Sequence, residues 1–167
     1  MHFDRIRNLF PGNTYVCMVF EQILAVCVGN ICRSPMAEGL LSSYLRQPAP
    51  KTHVMSAGLS ALVGQPADPT AIELMSERGI NLSEHRARQV NLEFIRASDL
   101  ILVMETWQIK AVEEMMPSIR GRVHLLGRWS EFEIGDPFSK SREVFETSLS
   151  QIERGVNEWL PRLFTAR

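Results

Sequence analysis

Residues 23–35 read Ile23-Leu24-Ala25-Val26-Cys27-Val28-Gly29-Asn30-Ile31-Cys32-Arg33-Ser34-Pro35. The run from Ile23 to Cys27 is continuously apolar and is closed by Gly29-Asn30, the pattern of a short parallel strand buried on both faces. Past the turn, Ser34 offers an N-cap hydroxyl and Pro35 suits a first helical position. Met36, Leu40, Leu41, Tyr44 and Leu45 then recur on one face until Pro48. Strand, tight turn and helix start in this order are the first half of a βαβ unit.

The same alternation continues outward. Residues 53–57 form a second apolar strand ended by Gly58, and residues 69–78 a helix capped by Asp68 and stopped by Gly79. Residues 100–104 form a third strand, 105–116 a helix ending before Pro117, and 123–126 a fourth strand, followed by a Gly135-Asp136-Pro137 turn. Phe145, Leu149, Ile152, Val156, Leu160 and Leu163 draw one stripe along a final helix. Four apolar strands alternating with helices predict an α/β domain: a four-stranded parallel sheet with right-handed crossovers and helices on both faces. Ligands of such sheets bind at the carboxyl ends of the strands, and the first strand ends at Cys27.

A chain of 167 residues, 45% hydrophobic and 22% charged, has the balance of one domain with one sizeable core. With 18 basic against 19 acidic residues the net charge is −1, which offers no bulk attraction to nucleic acid or an anionic membrane. Any anion must be held by local geometry. Residues 15–28 are largely apolar, but Glu21 and Gln22 interrupt them well short of the roughly 20 residues that span a bilayer, so no membrane insertion is expected. Residues 1–18 carry Asp4, Arg5, Arg7 and a Pro11-Gly12-Asn13 breaker, with no apolar h-region or cleavage site. They are expected to be a flexible extension ahead of a domain at 19–167, and Met18 offers an internal start. Three cysteines, Cys17, Cys27 and Cys32, are an odd number, which fits reduced thiols in a cytoplasm.

Cys27 and Arg33 stand in a Cys-x5-Arg spacing. On spacing alone three cysteines meet such an arginine by chance roughly one time in four, so the structural context carries the argument. A loop closing from a strand into a helix N-terminus turns the N–H groups of Val28 through Ser34 inward, and the helix adds about half a positive charge. Arg33 can grip two phosphate oxygens, and the same field favours a thiolate nucleophile. Gly29 suits a tight turn or positive φ, and Asn30 tolerates left-handed backbone while its amide ties the loop. Ser56, at the end of the neighbouring strand, is placed to hydrogen-bond Asn30.

Breaking a phosphate ester also needs an acid for the leaving group. Of the aspartates, Asp4 lies in the extension and Asp99 borders a strand, while Asp68 and Asp136 both precede proline and leave acid and cap readings open. Cys32 reads either as a small hydrophobe or as a thiol that traps an oxidised Cys27. His2, His53, His85 and His124 stand singly. Cys27, Cys32 and His53 lack zinc-ligand spacing, so no metal site is expected. The charged segment 84–89 reads as a solvated face or turn.

The stretch from Cys27 to Pro35 resembles the phosphate-binding loop of the low-molecular-weight protein tyrosine phosphatases. The resemblance runs through nearly all of residues 19–164, including Ser56-Ala57-Gly58, Asp68-Pro69-Thr70 and Gly135-Asp136-Pro137-Phe138. Residues 56–71 and 136–146 are most similar to the bacterial subgroup tied to capsule and exopolysaccharide production, whose partner is an autophosphorylating tyrosine kinase. The resemblance implies sheet order 2-1-3-4, a cytoplasmic enzyme without cofactor or metal, and phosphotyrosine hydrolysis through a cysteinyl phosphate. It assigns attack on phosphorus to Cys27, and the phosphate oxygens to Arg33 and the N–H groups of the loop. Ser34 eases departure of the thiolate. The proton goes to Asp136, which matches the family's mobile acid loop whereas Asp68 matches a helix start. Phe138 stands where many relatives carry Tyr, as a substrate wall or as loop packing, Cys32 takes a resolving role in oxidation, and the family's similar segment at 84–89 braces the site without taking part in the chemistry.

Three rivals share this fold or loop. Arsenate reduction relays oxidation through late cysteines, and none follows Cys32. Phosphoarginine phosphatases carry Thr where this loop has Ile31. A non-catalytic phosphate reader or thiol redox sensor would not need Cys27, Arg33, Ser34 and Asp136 together.

Overall fold

The computed structural model describes residues 16–18 and 20–166. Its strands are β1 (Val16–Met18), β2 (Gln22–Cys27), β3 (His53–Gly58), β4 (Leu100–Val103), β5 (Val123–Leu125) and β6 (Phe164–Ala166). Its helices are α1 (Arg33–Leu45), α2 (Pro69–Ser76), α3 (Leu92–Ala97), α4 (Thr106–Met115) and α5 (Arg142–Trp159). β2 pairs in parallel with β3 on one side and β4 on the other, and β5 continues the sheet beyond β4. The order β3-β2-β4-β5 is the expected 2-1-3-4 once the four sheet strands are numbered along the chain.

Residues alternate between the two faces of β2 because side chains of a strand point to opposite sides of the sheet. Ile23, Ala25 and Cys27 enter one core with Met36, Leu41, Phe145, Leu149, Ile152 and Val156, and thus meet α1 and α5. Leu24 and Val26 enter the other with Ile95, Ile101, Val103, Val112 and Ile119. Each fully buried aliphatic side chain contributes about 1.5–3 kcal/mol, so coverage of both faces explains why the strand is apolar without alternation.

Several boundaries differ from the sequence expectation. α1 begins at Arg33 with Cys32 at the N-cap position and no side-chain cap, so Ser34 does not cap it and Pro35 is the third helical residue. Proline is tolerated there because the first four N–H groups of a helix have no intrahelical partner. α2 does start on an Asp68 cap, whose Oδ1 accepts from the Thr70 N–H at 2.8 Å. The last helix runs to Trp159 and passes into a 3-10 turn, Leu160–Arg162, that keeps Leu160 and Leu163 buried.

α3 has no counterpart among the elements expected from the sequence: it is six residues long, buries only Ile95, and starts on an Asn91 cap that accepts from Phe94 N. The antiparallel β1–β6 pair is shorter still, three residues on each strand with Cys17 opposite Thr165. Of the expected extension at residues 1–18 only Val16–Met18 fall among the described residues. Asp99 fastens the start of β2, its Oδ2 accepting from the Glu21 and Gln22 N–H groups at 2.9 Å each. No described helix is long and apolar enough to cross a membrane.

Candidate active site

The loop between β2 and α1 is shaped by the partners of its carbonyl groups. The oxygens of Cys27, Val28 and Gly29 accept from the N–H groups of Leu59, Ser60 and Leu62 at 2.9–3.0 Å. Asn30 O meets His85 Nε2 at 2.7 Å, Ile31 O accepts from Asp68 N at 2.8 Å, and Cys32 O from Met36 N at 3.3 Å. Six successive carbonyls are thereby turned toward the protein. Since N–H and C=O of a planar trans peptide point in opposite directions, the corresponding N–H groups are turned toward the cavity.

Gly58 makes this approach possible, because a Cβ there would collide with Val28 O. The positive φ of the loop falls on Asn30 (56°) and not on Gly29, where an added Cβ would meet ordinary contacts. Asn30 is fully buried and its amide is consumed: Nδ2 donates to Ser34 Oγ and Ser56 Oγ at 2.9 Å each, and Oδ1 accepts from Arg88 N at 2.8 Å. These bonds hold a left-handed residue that asparagine tolerates better than most. The tie between Ser56 and Asn30 read from the sequence is present. Ser56 is itself anchored by Glu38, Oγ to Oε2 2.5 Å.

Cys27 lies at the end of β2, 2% exposed, with its Sγ 3.0 Å from Ser34 Oγ and accepting from Asn30 N at 3.3 Å. Arg33 is buried to 1% exposure and its fork is held on three sides. Nη1 donates to Glu105 Oε1 at 2.5 Å and to Ile134 O at 3.0 Å, and Nη2 to Asp136 Oδ2 at 2.6 Å. Its Nε has no partner among the described residues and Nη2 carries a second N–H, so two of the five guanidinium donors are unspent. Asp136 caps its own turn by accepting from Phe138 N at 3.2 Å.

A cavity of about 150 Å³ is lined by Cys27, Gly29, Ile31, Arg33, Asp136 and Phe138, together with Val28, Cys32, Ser60 and Leu62. Phe138 and Leu62 are exposed at its mouth. Burial pushes the Cys32 thiol far above its ordinary range, and the nearby Asp68, Cys27 and Asp136 push the same way against Arg33. Cys32 is therefore held as a neutral thiol, 4% exposed. No described group of three or more His, Cys, Asp or Glu side chains is arranged to hold a metal ion.

Four participants carry no signal in the sequence pattern. Glu105 lies 72 residues from Arg33, and its Oε2 also accepts from Trp107 Nε1 at 3.1 Å. Its N-cap position before α4 is legible, but nothing in its neighbours marks a partner across the sheet. His85 and the backbone of Arg88 belong to the charged segment expected to be a solvated face. They instead brace Asn30. Glu38 sits on α1 among residues that otherwise read as helix surface.

A parallel α/β sheet whose first core strand delivers a cysteine into an N–H cradle, with an arginine and an aspartate across it, has the architecture of the phosphatase-loop class. The description "low molecular weight phosphotyrosine protein phosphatase" fits a family sequence model that matches residues 22–166, and the chain belongs to this family of protein-tyrosine phosphatases. It is 47% identical over 145 residues to a probable low molecular weight protein-tyrosine-phosphatase, EpsP, of Ralstonia solanacearum, covering 87% of this chain and 97% of the relative. Against Wzb of Escherichia coli K12 it is 49% identical over 146 residues, with the same coverage. Among solved structures it resembles the Erwinia amylovora tyrosine phosphatase AmsI at 44% identity and a TM-score of 0.79, covering 84% of this chain and 91% of that one. The YwlE arginine phosphatase of Geobacillus stearothermophilus follows the same fold at 30% identity and a TM-score of 0.78, covering 86% and 92%. The family resemblance, its bacterial exopolysaccharide-associated subgroup and the sheet order expected from the sequence are borne out.

Proposed function

We propose that this chain hydrolyses phosphotyrosine in proteins by way of a phosphocysteine on Cys27. The outward bonding of six loop carbonyls around a buried thiol is the observation that carries the reading, because it leaves N–H donors facing the position a phosphoryl group must take. The Cys27 thiolate attacks phosphorus while the N–H groups of Val28 to Ser34 and the Arg33 fork hold the equatorial oxygens. The bond from phosphorus to the phenolic oxygen breaks, and Asp136 gives that oxygen its proton. Water then attacks the phosphocysteine, Asp136 takes a proton from it, and the Cys27 thiolate leaves with a hydrogen bond from Ser34. Phe138 and Leu62 form apolar sides for the substrate ring.

The domain is assigned to residues 19–167, supported by a family match beginning at residue 22. The substrate is a tyrosine-phosphorylated protein of the bacterial cytoplasm. The relatives named EpsP, Wzb and AmsI favour a partner in exopolysaccharide production, an autophosphorylating tyrosine kinase. Cys32 serves as the resolving thiol: a sulfenic acid on Cys27 condenses with it to a disulfide and water. Inactivation by peroxide should reverse with dithiothreitol in the native protein and become irreversible in Cys32→Ala.

Cys27→Ser should abolish phosphate release from phosphotyrosine, and normal turnover by that variant would sink the assignment. A phosphoarginine reading has one observation in its favour, the likeness to YwlE, and one against it in Ile31 on the cavity wall. Turnover of phosphotyrosine and phosphoarginine by the same preparation separates the two, and the first is expected to be much the faster.

A further inference from the structure

The cavity that holds Cys27 is smaller than a second concave site near the phosphate loop. A larger one, about 710 Å³, opens behind the loop between α1, the turn at residues 79–82 and the charged segment 84–88. Its volume lies in the range of small-molecule sites, about 300–1,000 Å³. Arg46, Arg86 and Arg88 line it together with Glu38 and Glu84, and Arg86 Nη1 donates to the carbonyls of Ser83 and His85 at 3.0 and 2.7 Å. Glu38 is engaged, with one oxygen accepting from Ser56 and the other 4.0 Å from Arg88. Among the described residues the guanidinium of Arg46 has no hydrogen-bond or ion-pair partner, whereas that of Arg88 lies over the Phe94 ring and 4.0 Å from Glu38, with only its buried Nε unpaired. The wall thus presents one unspent guanidinium, that of Arg46, beside the partly engaged Arg86 and Arg88, together with the carboxylate of Glu84, one oxygen of which accepts from Ser83 Oγ at 3.4 Å.

The walls of this cavity are also what holds Asn30. His85 lines it and contacts Asn30 O, Arg88 lines it and donates its N–H to Asn30 Oδ1, and Glu38 lines it and anchors Ser56, which accepts from Asn30 Nδ2. Asn30 in turn donates to Ser34, the hydroxyl partner of Cys27. A ligand that engages Arg88 or Glu38 is therefore three hydrogen bonds or fewer from the nucleophile's hydroxyl.

We propose that this cavity binds a small phosphate ester that also carries hydroxyl groups, and that its occupancy tunes turnover at Cys27. The phosphate meets Arg46 and its arginine neighbours, and a ligand hydroxyl donates to Glu84. The inference rests on the phosphatase reading, which hydrolysis of p-nitrophenyl phosphate without any effector tests separately.

Glucose 6-phosphate serves as the probe, titrated by calorimetry into enzyme whose catalytic loop is already filled with vanadate. Binding should persist under vanadate and weaken by about tenfold or more in Arg46→Glu, the scale expected when a charge-assisted hydrogen bond gives way to repulsion between like charges. Arg46 makes no contact with the catalytic loop, so this variant should fold and turn over p-nitrophenyl phosphate at the native rate without the probe. In the native protein the probe should change kcat at saturating substrate by about twofold or more, and in Arg46→Glu it should not, as expected of a linkage between two sites. No binding to vanadate-filled enzyme, equal binding by Arg46→Glu, or an effect confined to KM would each overturn the proposal.

Discussion

The guanidinium of Arg33 donates to the carboxylate of Asp136 across 2.6 Å, so the residue proposed to grip phosphate and the residue proposed to move the proton hold each other. A phosphate dianion carries more charge than a carboxylate and competes for the same fork. In the proposed mechanism its arrival releases Asp136 toward the leaving oxygen at the moment the acid is needed.

Asp136→Ala should therefore lower kcat for phosphotyrosine by about 10²-fold or more, the usual contribution of a positioned acid. The loss should be smaller for p-nitrophenyl phosphate, whose phenolate leaves without help. Inhibition by inorganic phosphate should stay equal or tighten, because Arg33 loses a competitor. Weaker phosphate inhibition in this variant would show that Asp136 assists binding instead of opposing it.

Glu105 is the other carboxylate on Arg33, and it ties the guanidinium to Trp107. Breaking a fully buried ion pair costs about 3–5 kcal/mol, but Glu105 is 26% exposed and Asp136 remains, so Glu105→Gln should cost about 1–3 kcal/mol. Urea denaturation measures that loss. Steady-state kinetics should show KM rising more than kcat falls, since the fork loses its aim while the thiol and acid stay in place.

Asn30 combines a left-handed backbone with three side-chain hydrogen bonds, two of them buried and the third partly so. Asn30→Ala should destabilise by about 3 kcal/mol, adding the missing bonds to the cost of φ > 0. Asn30→Gly removes the same bonds without the steric cost and should unfold at a urea concentration between those of Asn30→Ala and the native protein. Equal stability of the two variants would mean that the backbone conformation carries no strain.

The elements legible in the sequence are those whose cause is local. The apolar run to Cys27, the Asp68 cap and the stripe from Phe145 to Leu163 each announce themselves within a few residues. So does the left-handed tolerance of Asn30, although positive φ is equally open to Gly29. What the sequence pattern does not reveal depends on distant partners: Glu105 matters because β4 lies beside β2, and His85 matters because its segment folds back under the phosphate loop. Ser34 reads as a cap in the sequence because capping and thiol solvation use the same hydroxyl at the same helix end. Its burial against Cys27 decides between them.

His124 stacks on Trp159 and meets the Arg128 guanidinium, and burial followed by that charge holds its imidazole below its ordinary pKa, with Glu113 opposing. The unfolded chain thus binds a proton more readily than the folded one, and stability rises with pH wherever that difference persists. The contribution is present above about pH 6.5, the unfolded value, and is lost as pH falls from there through the lower folded value. Thermal melts between pH 7.5 and 5 should show a decline that His124→Phe, which keeps the stack, makes shallower. An identical slope in the variant would show that His124 does not set this decline.

That Cys27 carries the phosphoryl group is tested most directly by rapid acid quench of Asp136→Ala during turnover of p-nitrophenyl phosphate, followed by peptide mass spectrometry. Slowed hydrolysis of the intermediate lets it accumulate in this variant. The expected product is a single phosphoryl group on the peptide containing Cys27, bound through sulfur. Phosphate on Ser34, His85 or any other side chain, or steady turnover with no phosphoenzyme at all, would contradict it.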